Sequence, residues 1–303
     1  MLIEGKQIGV TGTLLKTARL QSEWYEFVDD PNICLEQIKA LGIRPDMFTF
    51  LQRISDRGLK YSYHCETEKT GVLHIDSYQN WLTKQINFKT RNKVRKAGKK
   101  GVTVQVAEFD DRLLHGIKAI YDECPIRQGR RFKHYAKDLE TLRREHATFL
   151  EQCEFIGAYY SGELIGFAKV FYQAGWASFM QIIAKIGERD RAPTNALIAK
   201  VVERCAEKRI PLLQFGTWGR EGTVQDFKLN NGFQCYEVPR YYVPLNSKGR
   251  LMLRLGLHRD LTERLPESLL NRILPLRARW NTFRLRGRMN GRDTSPPLAE
   301  NRS

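Results

Sequence analysis

The chain has 303 residues, 42% hydrophobic and 28% charged, which is the composition of a globular protein able to bury a core without disulfide staples. No stretch approaches 18 uncharged apolar residues, so a membrane-spanning helix is not expected. Its formal charge of +16 is unevenly placed: Lys248 to Ser303 carries 13 Lys and Arg against 5 Asp and Glu, a net +8 and half of the excess. A second block, "KTRNKVRKAGKKG" from Lys89 to Gly101, has seven basic residues and no acid. Clustered positive charge predicts an anionic partner, either nucleic acid, a phosphorylated sugar or an anionic membrane surface, with solubility alone as the bland alternative.

Taken in chain order, "QIGVTGTLL" and "YSYHCETEKTGVLHI" have strand character, the second interrupted by a polar turn at "TEKTG". Between them "NICLEQIKALG" predicts a helix stopped at Gly42. "DSYQNWLTKQINFKTRNKVRKAGKKG" predicts a helix capped by Asp76 or Ser77, with Leu82, Ile86, Val94 and Ala97 on one face. From Val102 the elements run β-α-α-β-β-β-α-β-α-β. "VTVQVAEF" is a strand, and helices follow over 113–121 and 138–152. A three-strand meander then turns at Ser161-Gly162 and Ala174-Gly175. Next come a helix over 195–208, the strand "PLLQFGTW", a short helix and the strand "CYEVPRYYVPL". This order predicts an α/β (α+β) fold, a mixed sheet flanked by helices.

The short helix lies in "GTVQDFKLNNGF". Thr223 is expected to cap it, Asp226 to complete a capping box, and Gly232 to close it in a left-handed conformation. In the tail, Leu269, Ile273, Leu276, Trp280 and Phe283 recur at helical spacing with arginines off that line. This predicts a basic amphipathic helix, kinked at Pro275, that lies on a membrane surface through 267–288 or packs on the body of the protein. Beyond Asn290 the polar, proline-bearing sequence predicts disorder. The six cysteines are scattered and read as reduced thiols. His64 beside Cys65 reads as strand packing, and no metal ligand set is expected. The N-terminus shows no basic start and apolar run of a signal peptide, so a cytoplasmic protein, peripheral on the cytoplasmic membrane at most, is expected.

The element order from Val102 to Leu245, ending in "NNGF", resembles the GNAT acyltransferases. Those proteins often end this helix with L-Y-x-x-x-G-F, the Tyr serving as general acid to a leaving thiolate. Here the pattern falls on Phe227, Lys228, Gly232 and Phe233, with a lysine at the tyrosine position. The family's Q/R-x-x-G-x-G/A pyrophosphate loop corresponds to "RDRAPTNAL", where Arg189 matches but Ala192 and Thr194 replace the glycines and Pro193 lacks an N–H. Both departures resemble the FemAB-like branch, which is similar in having two GNAT-like halves, a basic R-x-x-x-R-K-A-x-K-x-G-V lead-in and a late F-K pair. This chain has "RNKVRKAGKKGV" and Phe227-Lys228.

Charge and periodicity give a basic helical tail over 247–290 and a disordered end over 291–303. The resemblance, which spans about Thr13 to Leu245, implies a truncated first half with its connecting helix over 1–90 and an acyltransferase domain over 91–246. It implies transfer of an acyl or aminoacyl group to an amine of a cell-envelope precursor or related metabolite. No bound cofactor is implied; the donor is either an aminoacyl-tRNA or an acyl-CoA. Lys228 would stabilise charge developing at the acyl carbonyl, with Phe227 beside it. Asp226, Glu221 and Tyr236 are candidates for the base. Arg91, Arg95 and Lys96 on one helix, with Arg189 and Arg191 at the degraded loop, are candidates for holding an anionic donor or a phosphorylated or lipid-linked acceptor. Two other readings remain open: an acyl-CoA-dependent N-acetyltransferase, and a noncatalytic nucleic-acid-binding protein on a transferase scaffold.

Overall fold

The computed structural model describes residues 2–40, 42, 44–56, 58–127, 130–219 and 222–259. They fall into two compact units. The larger takes in the chain up to Ile120 and from Asp138 to His258; the smaller contains Tyr121–Lys137 and Arg259.

The first elements are β1 (Leu2–Ile3), β2 (Lys6–Thr11), β3 (Thr17–Leu20), α1 (Pro31–Ala40) and β4 (Met47–Leu51). Next come β5 (His64–His74) and a one-turn α2 (Tyr78–Asn80) that passes into a π-helical turn over Trp81–Gln85. Then follow α3 (Phe88–Lys99), β6 (Thr103–Ala107) and α4 (Asp111–Asp122). The smaller unit contributes the hairpin of β7 (Ile126–Arg127) and β8 (Arg130–Arg131). The chain continues with α5 (Leu139–His146), β9 (Cys153–Tyr160), β10 (Glu163–Gln173), β11 (Trp176–Ala184) and α6 (Pro193–Glu207). It ends with β12 (Leu212–Thr217), α7 (Thr223–Asn230), β13 (Gln234–Pro244) and α8 (Ser247–Arg254).

Eleven strands form one mixed sheet in the order β1-β2-β3-β4-β13-β5-β12-β11-β10-β9-β6. Two halves are visible in it, and they exchange strands. β13, last in sequence, lies between β4 and β5, while β5 lies between β13 and β12. Each half is therefore closed by a strand of the other, and the expected boundary at residue 90/91 falls inside α3. Each half also contains one strand–helix–strand unit with parallel pairing, β3-α1-β4 and β11-α6-β12.

Two local expectations are corrected. No turn forms at "TEKTG": β5 runs unbroken for 11 residues because it is paired on both edges, to β13 and β12. The single helix expected after Asp76 is two. Ser77 does cap the first, its side chain accepting from Asn80 N, but Ile86 is extended and Asn87 caps α3 afresh. The break is held by Arg91, whose guanidinium donates to the carbonyls of Leu82 (2.7 Å), Thr83 (2.7 Å) and Ile86 (3.3 Å). These are the orphan acceptors of the preceding helical turn. The Ser161-Gly162 turn is as expected, with both residues at positive φ (50° and 81°) as a tight hairpin turn requires.

The core of the second half packs Leu197, Ile198, Val201 and Val202 of α6 against Trp81, Phe179, Leu213 and Phe233. A second cluster includes Phe27, Val72, Phe171, Trp176 and Val238, and α1 covers a third around Phe48, Phe50 and Tyr241. Among the described residues no helix is long and apolar enough to cross a membrane. The tail segment 267–288 and the end over 291–303 lie outside the described residues.

Candidate active site

The parallel pairing of β11 and β12 is confined to Ala177↔Leu213 and Ser178↔Gln214. A bulge explains why. Lys169 pairs with Gln181 and Val170 with Phe179, so Met180 is the extra residue on β11, immediately beyond the last contact with β12. A bulge bends its strand and raises the local twist, which turns β11 away from β12. β12 is irregular at the same level: its register against β5 shifts between Gln214 and Thr217, and Gly216 takes a φ of +51°. The two strands diverge towards their carboxyl ends, where the loops into α6 and α7 begin.

α7 follows β12 and supplies a side chain at the carboxyl end of that strand. Its start differs from the expected capping box. The N-cap is Gly222, at φ 144° and ψ −177°, with no side-chain cap. That backbone conformation is open to glycine. Thr223 is thereby the first helical residue, and Asp226 lies one position too late to reach back. The far end is as expected. Gly232 adopts φ +87°, and Phe233 N donates to Lys228 O at 3.0 Å, closing the helix in a Schellman-type turn. Asn231 fixes the helix in place. Its Nδ2 donates to Phe227 O (2.7 Å), its Oδ1 accepts from Asn195 of α6 (3.3 Å), and its carbonyl accepts from Trp81 Nε1 (3.0 Å).

Held this way, Lys228 points inward and is only 4% exposed. Its Nζ donates to Thr217 O at 2.7 Å and lies 5.1 Å from the Phe215 ring centroid and 6.0 Å from that of Trp218. No carboxylate pairs with it among the described residues. Burial lowers its pKa from the ordinary lysine value. An ammonium has three N–H donors, and the described residues take one. Gly71 of β5 makes the room. A Cβ there would sit 3.3 Å from both Lys228 Cδ and Trp218 Cε3, tighter than ordinary contact. Sequence reasoning singled out Lys228 and passed over Gly71, because "TEKTG" has the composition of a turn.

The other expected residues divide. Phe227 is half-buried and packs into the core. Asp226 is exposed, and residues two apart do not share a helix face, so it does not join Lys228. Tyr236 packs with Val238 and Val72, whose alternation places it on the opposite side of the sheet from Gly71. Glu221 lies outside the described residues. Arg91 spends its guanidinium on the three carbonyls above and does not form a fork with Arg95, which is exposed.

Lys96 and the helix-capping Lys100 both hold Asp190, Lys96 at 2.7 Å. Those two lysines drive the Asp190 carboxyl down to about 2. Arg191 stacks on Tyr160 (3.6 Å to the centroid) and pairs with Glu188 at 2.6 Å; Arg189 is exposed. α6 itself begins at Pro193, with Ala192 left-handed (φ 54°) and its N–H given to Arg189 O. The basic lead-in and the degraded loop therefore meet in space, with an acid between them.

One group was not expected. His64, Glu66 and His258 converge, with a ring nitrogen of each histidine near the same carboxylate. His258 is 192 residues further along the chain, a separation no spacing rule detects.

No known sequence family matches the chain, and no curated protein matches it. Solved structures do. One is described as the C-terminal domain of a lysylphosphatidylglycerol synthetase from Agrobacterium fabrum. It is similar at 12% identity over 82% of each chain, with a TM-score of 0.54. Another, L-PGS from Bacillus licheniformis, is similar at 14% identity over 81% of this chain and 83% of that one, with a TM-score of 0.52. FemX matches more loosely, at 14% identity, 71% and 70% coverage and a TM-score of 0.44. At these identities the likeness concerns the fold. The chain shares the overall fold of the Agrobacterium and Bacillus proteins.

Proposed function

We propose that the chain is an acyltransferase whose reaction takes place where β11 and β12 part, with Lys228 stabilising the oxyanion. The observation that carries this reading is a buried ammonium at the carboxyl end of β12, of whose three N–H donors the described residues take one. Attack of an amine on an acyl carbonyl forms a C–N bond and moves a pair of electrons onto the carbonyl oxygen. That oxygen gains charge only as the tetrahedral intermediate forms. A cation aimed at it from a dry, aromatic-walled pocket therefore favours the transition state over the ground state. Collapse restores the carbonyl and breaks the C–O or C–S bond, and the proton lost by the amine ends on the departing hydroxyl or thiol.

An aminoacyl ester, as on a charged tRNA, suits the donor side better than acyl-CoA. A helix N-terminus binds a pyrophosphate through successive free N–H groups. Here Pro193 has none, Ala192 has given its own away, and Lys96 and Lys100 are occupied by Asp190. The acceptor proposed is an amine of a cell-envelope precursor or related metabolite. The Agrobacterium fold relative is named for the synthesis of lysylphosphatidylglycerol, a lipid bearing an aminoacyl group, which supports that direction. Acyl-CoA is retained as the second donor because a parallel pair splayed towards a helix N-terminus is also a place where a nucleotide-bearing thioester can lie.

The test is transfer from radiolabelled aminoacyl-tRNA to an amine acceptor pool, run beside thermal-shift titrations with CoA and acetyl-CoA. Transfer that disappears in Lys228→Met, with no CoA shift, supports the aminoacyl reading. A saturable CoA shift of the melting temperature moves the donor to acyl-CoA. Nucleic-acid binding that survives Lys228→Met, with no transfer from either donor, would leave a noncatalytic binding protein.

A further inference from the structure

We propose that His64, Glu66 and His258 form a binding site for one divalent cation of the zinc class, which clasps the chain beyond α8 to the central sheet. Pairing in register with β13 sets the frame: Tyr242 faces His64, and Arg240 faces Glu66. His64 and Glu66 are two residues apart on one strand, so they project from the same face. His258 arrives four residues after the end of α8. Its side chain is 2% exposed, and its Nε2 lies 2.8 Å from Glu66 Oε1. His64 Nε2 lies 3.4 Å from the same oxygen, and the three ligand atoms fall within 4.8 Å of one another. The Tyr242 ring stands 4.6 Å from the His258 ring and 6.2 Å from that of His64, fixing both orientations. His258 Nδ1 has no hydrogen-bond partner, so the ring is held from its Nε2 side and by ring packing.

The donor set selects the ion. Zinc takes imidazole nitrogens and carboxylate oxygens at about 2.0–2.2 Å, and a tetrahedral arrangement puts such donors about 3.4 Å apart. Of the separations from Glu66 Oε1, the one to His64 already has that value and the one to His258 needs to open by about half an ångström, while the two imidazole nitrogens lie within 4.8 Å of each other. Two imidazoles with one carboxylate suit zinc, whereas calcium and magnesium favour oxygen donors throughout. His64 keeps its side chain 45% exposed, so a water can complete the coordination. The site lies about 23 Å along β5 from Gly71, at ~3.3 Å per residue, and on the other face of the sheet from Lys228. A cation here joins residues far apart in sequence and so acts on stability, outside the transfer chemistry.

The experiment uses the full chain, stripped with EDTA, dialysed and titrated first with Co(II) and then with Zn(II). The expected result is visible ligand-field absorption that saturates at one Co(II) per chain and is abolished by one Zn(II), with millimolar Mg(II) unable to compete. The melting temperature should rise with either metal. His258→Gln and His64→Gln should each weaken binding by more than about tenfold, the loss typical of disturbing even an outer partner of a metal site. Circular dichroism in EDTA checks that these variants are folded. A wild-type chain that shows no stoichiometric Co(II) absorption overturns the proposal. So does a folded His64→Gln/His258→Gln double variant that binds as tightly as the wild type.

Discussion

The two halves solve the same problem of a buried cation in opposite ways. In the first, Arg240 is 6% exposed and lies beside β4. Glu23, three residues beyond β3, grips it with both oxygens (2.8 and 3.0 Å), Glu68 takes its Nε–H, and Thr49 accepts at 3.2 Å. Burial works against its charge, but Glu23 and Glu68 outweigh burial and raise its pKa above the usual arginine value. In the second half Lys228 is as deeply buried and has, among the described residues, one carbonyl and two ring faces. Lys169 shows that this sheet can fully satisfy a buried lysine. Its Nζ donates to the carbonyls of His146 and Thr148 and to Thr148 Oγ1. A cation whose donors are all matched serves the fold. One left with unmatched donors costs stability, and that cost is the usual mark of a working group.

The comparison breaks most visibly at Arg240. Arg240→Met should lower stability by about 3–5 kcal/mol, because Glu23 is then left nearly buried, and Glu68 half-buried, without a cation. Urea unfolding measures this, and adding Glu23→Gln and Glu68→Gln should recover much of it. Loss below about 1 kcal/mol would mean the cluster is far better hydrated than its burial implies.

Lys228→Met should do the reverse, cutting transfer by about 10²–10³ while leaving the fold intact or firmer. The pH dependence separates the two cases. The folded-state pKa of Lys228 lies below its ordinary 10.5. Between those values the unfolded chain binds more protons, so wild-type stability gains a rising component with pH in that window. Lys228→Met should lose that component, whereas Arg240→Met should keep it. A melting-temperature series from neutral pH to 10 reads the difference.

Much of this was legible from residue order. The strand and helix sequence from Val102, the F-K pair and the Gly232 stop are local signals, and local signals survive in a single sequence. What stayed hidden depends on residues distant in the chain. β5 looked like two strands because Glu66, Glu68 and Thr70 are polar, yet Glu68 meets Arg240, and Thr70 accepts from Gln214 and donates to Gly216 O. Arg91 was read as a phosphate ligand because a helix arginine beside other cations has that pattern, and only the break at Ile86 shows which carbonyls it serves. Asn231 passed as part of a turn although it ties α7 to α6 and Trp81.

A smaller effect tests how firmly α7 is aimed. Gly232→Ala forces a left-handed alanine and brings its Cβ to 3.2 Å from Leu73 Cδ1. The expected cost is about 1–2 kcal/mol of stability. Because Gly232 directly follows the Asn231 anchor, transfer should fall further than stability alone explains; a loss of stability with unchanged turnover would mean that Lys228 tolerates movement of its helix.

The smallest structural change sharpens the question of the donor. Asp190 is fully exposed, and Lys100 and Lys96 keep it ionised down to about pH 2, so it holds both lysines at any working pH. Asp190→Asn should leave the melting temperature unchanged, since exposed pairs contribute little. It should nevertheless strengthen binding of a polyanion such as tRNA, and steepen the salt dependence of that binding by about one to two units of slope as the two lysines reach phosphates. Filter binding across a salt series distinguishes the roles of this face. A steeper slope identifies Lys96 and Lys100 as phosphate contacts that Asp190 keeps in check, so the lead-in helix reads the donor. An unchanged slope means they exist to brace Asp190, and the exposed Arg95 and Arg189 become the next candidates for holding the donor.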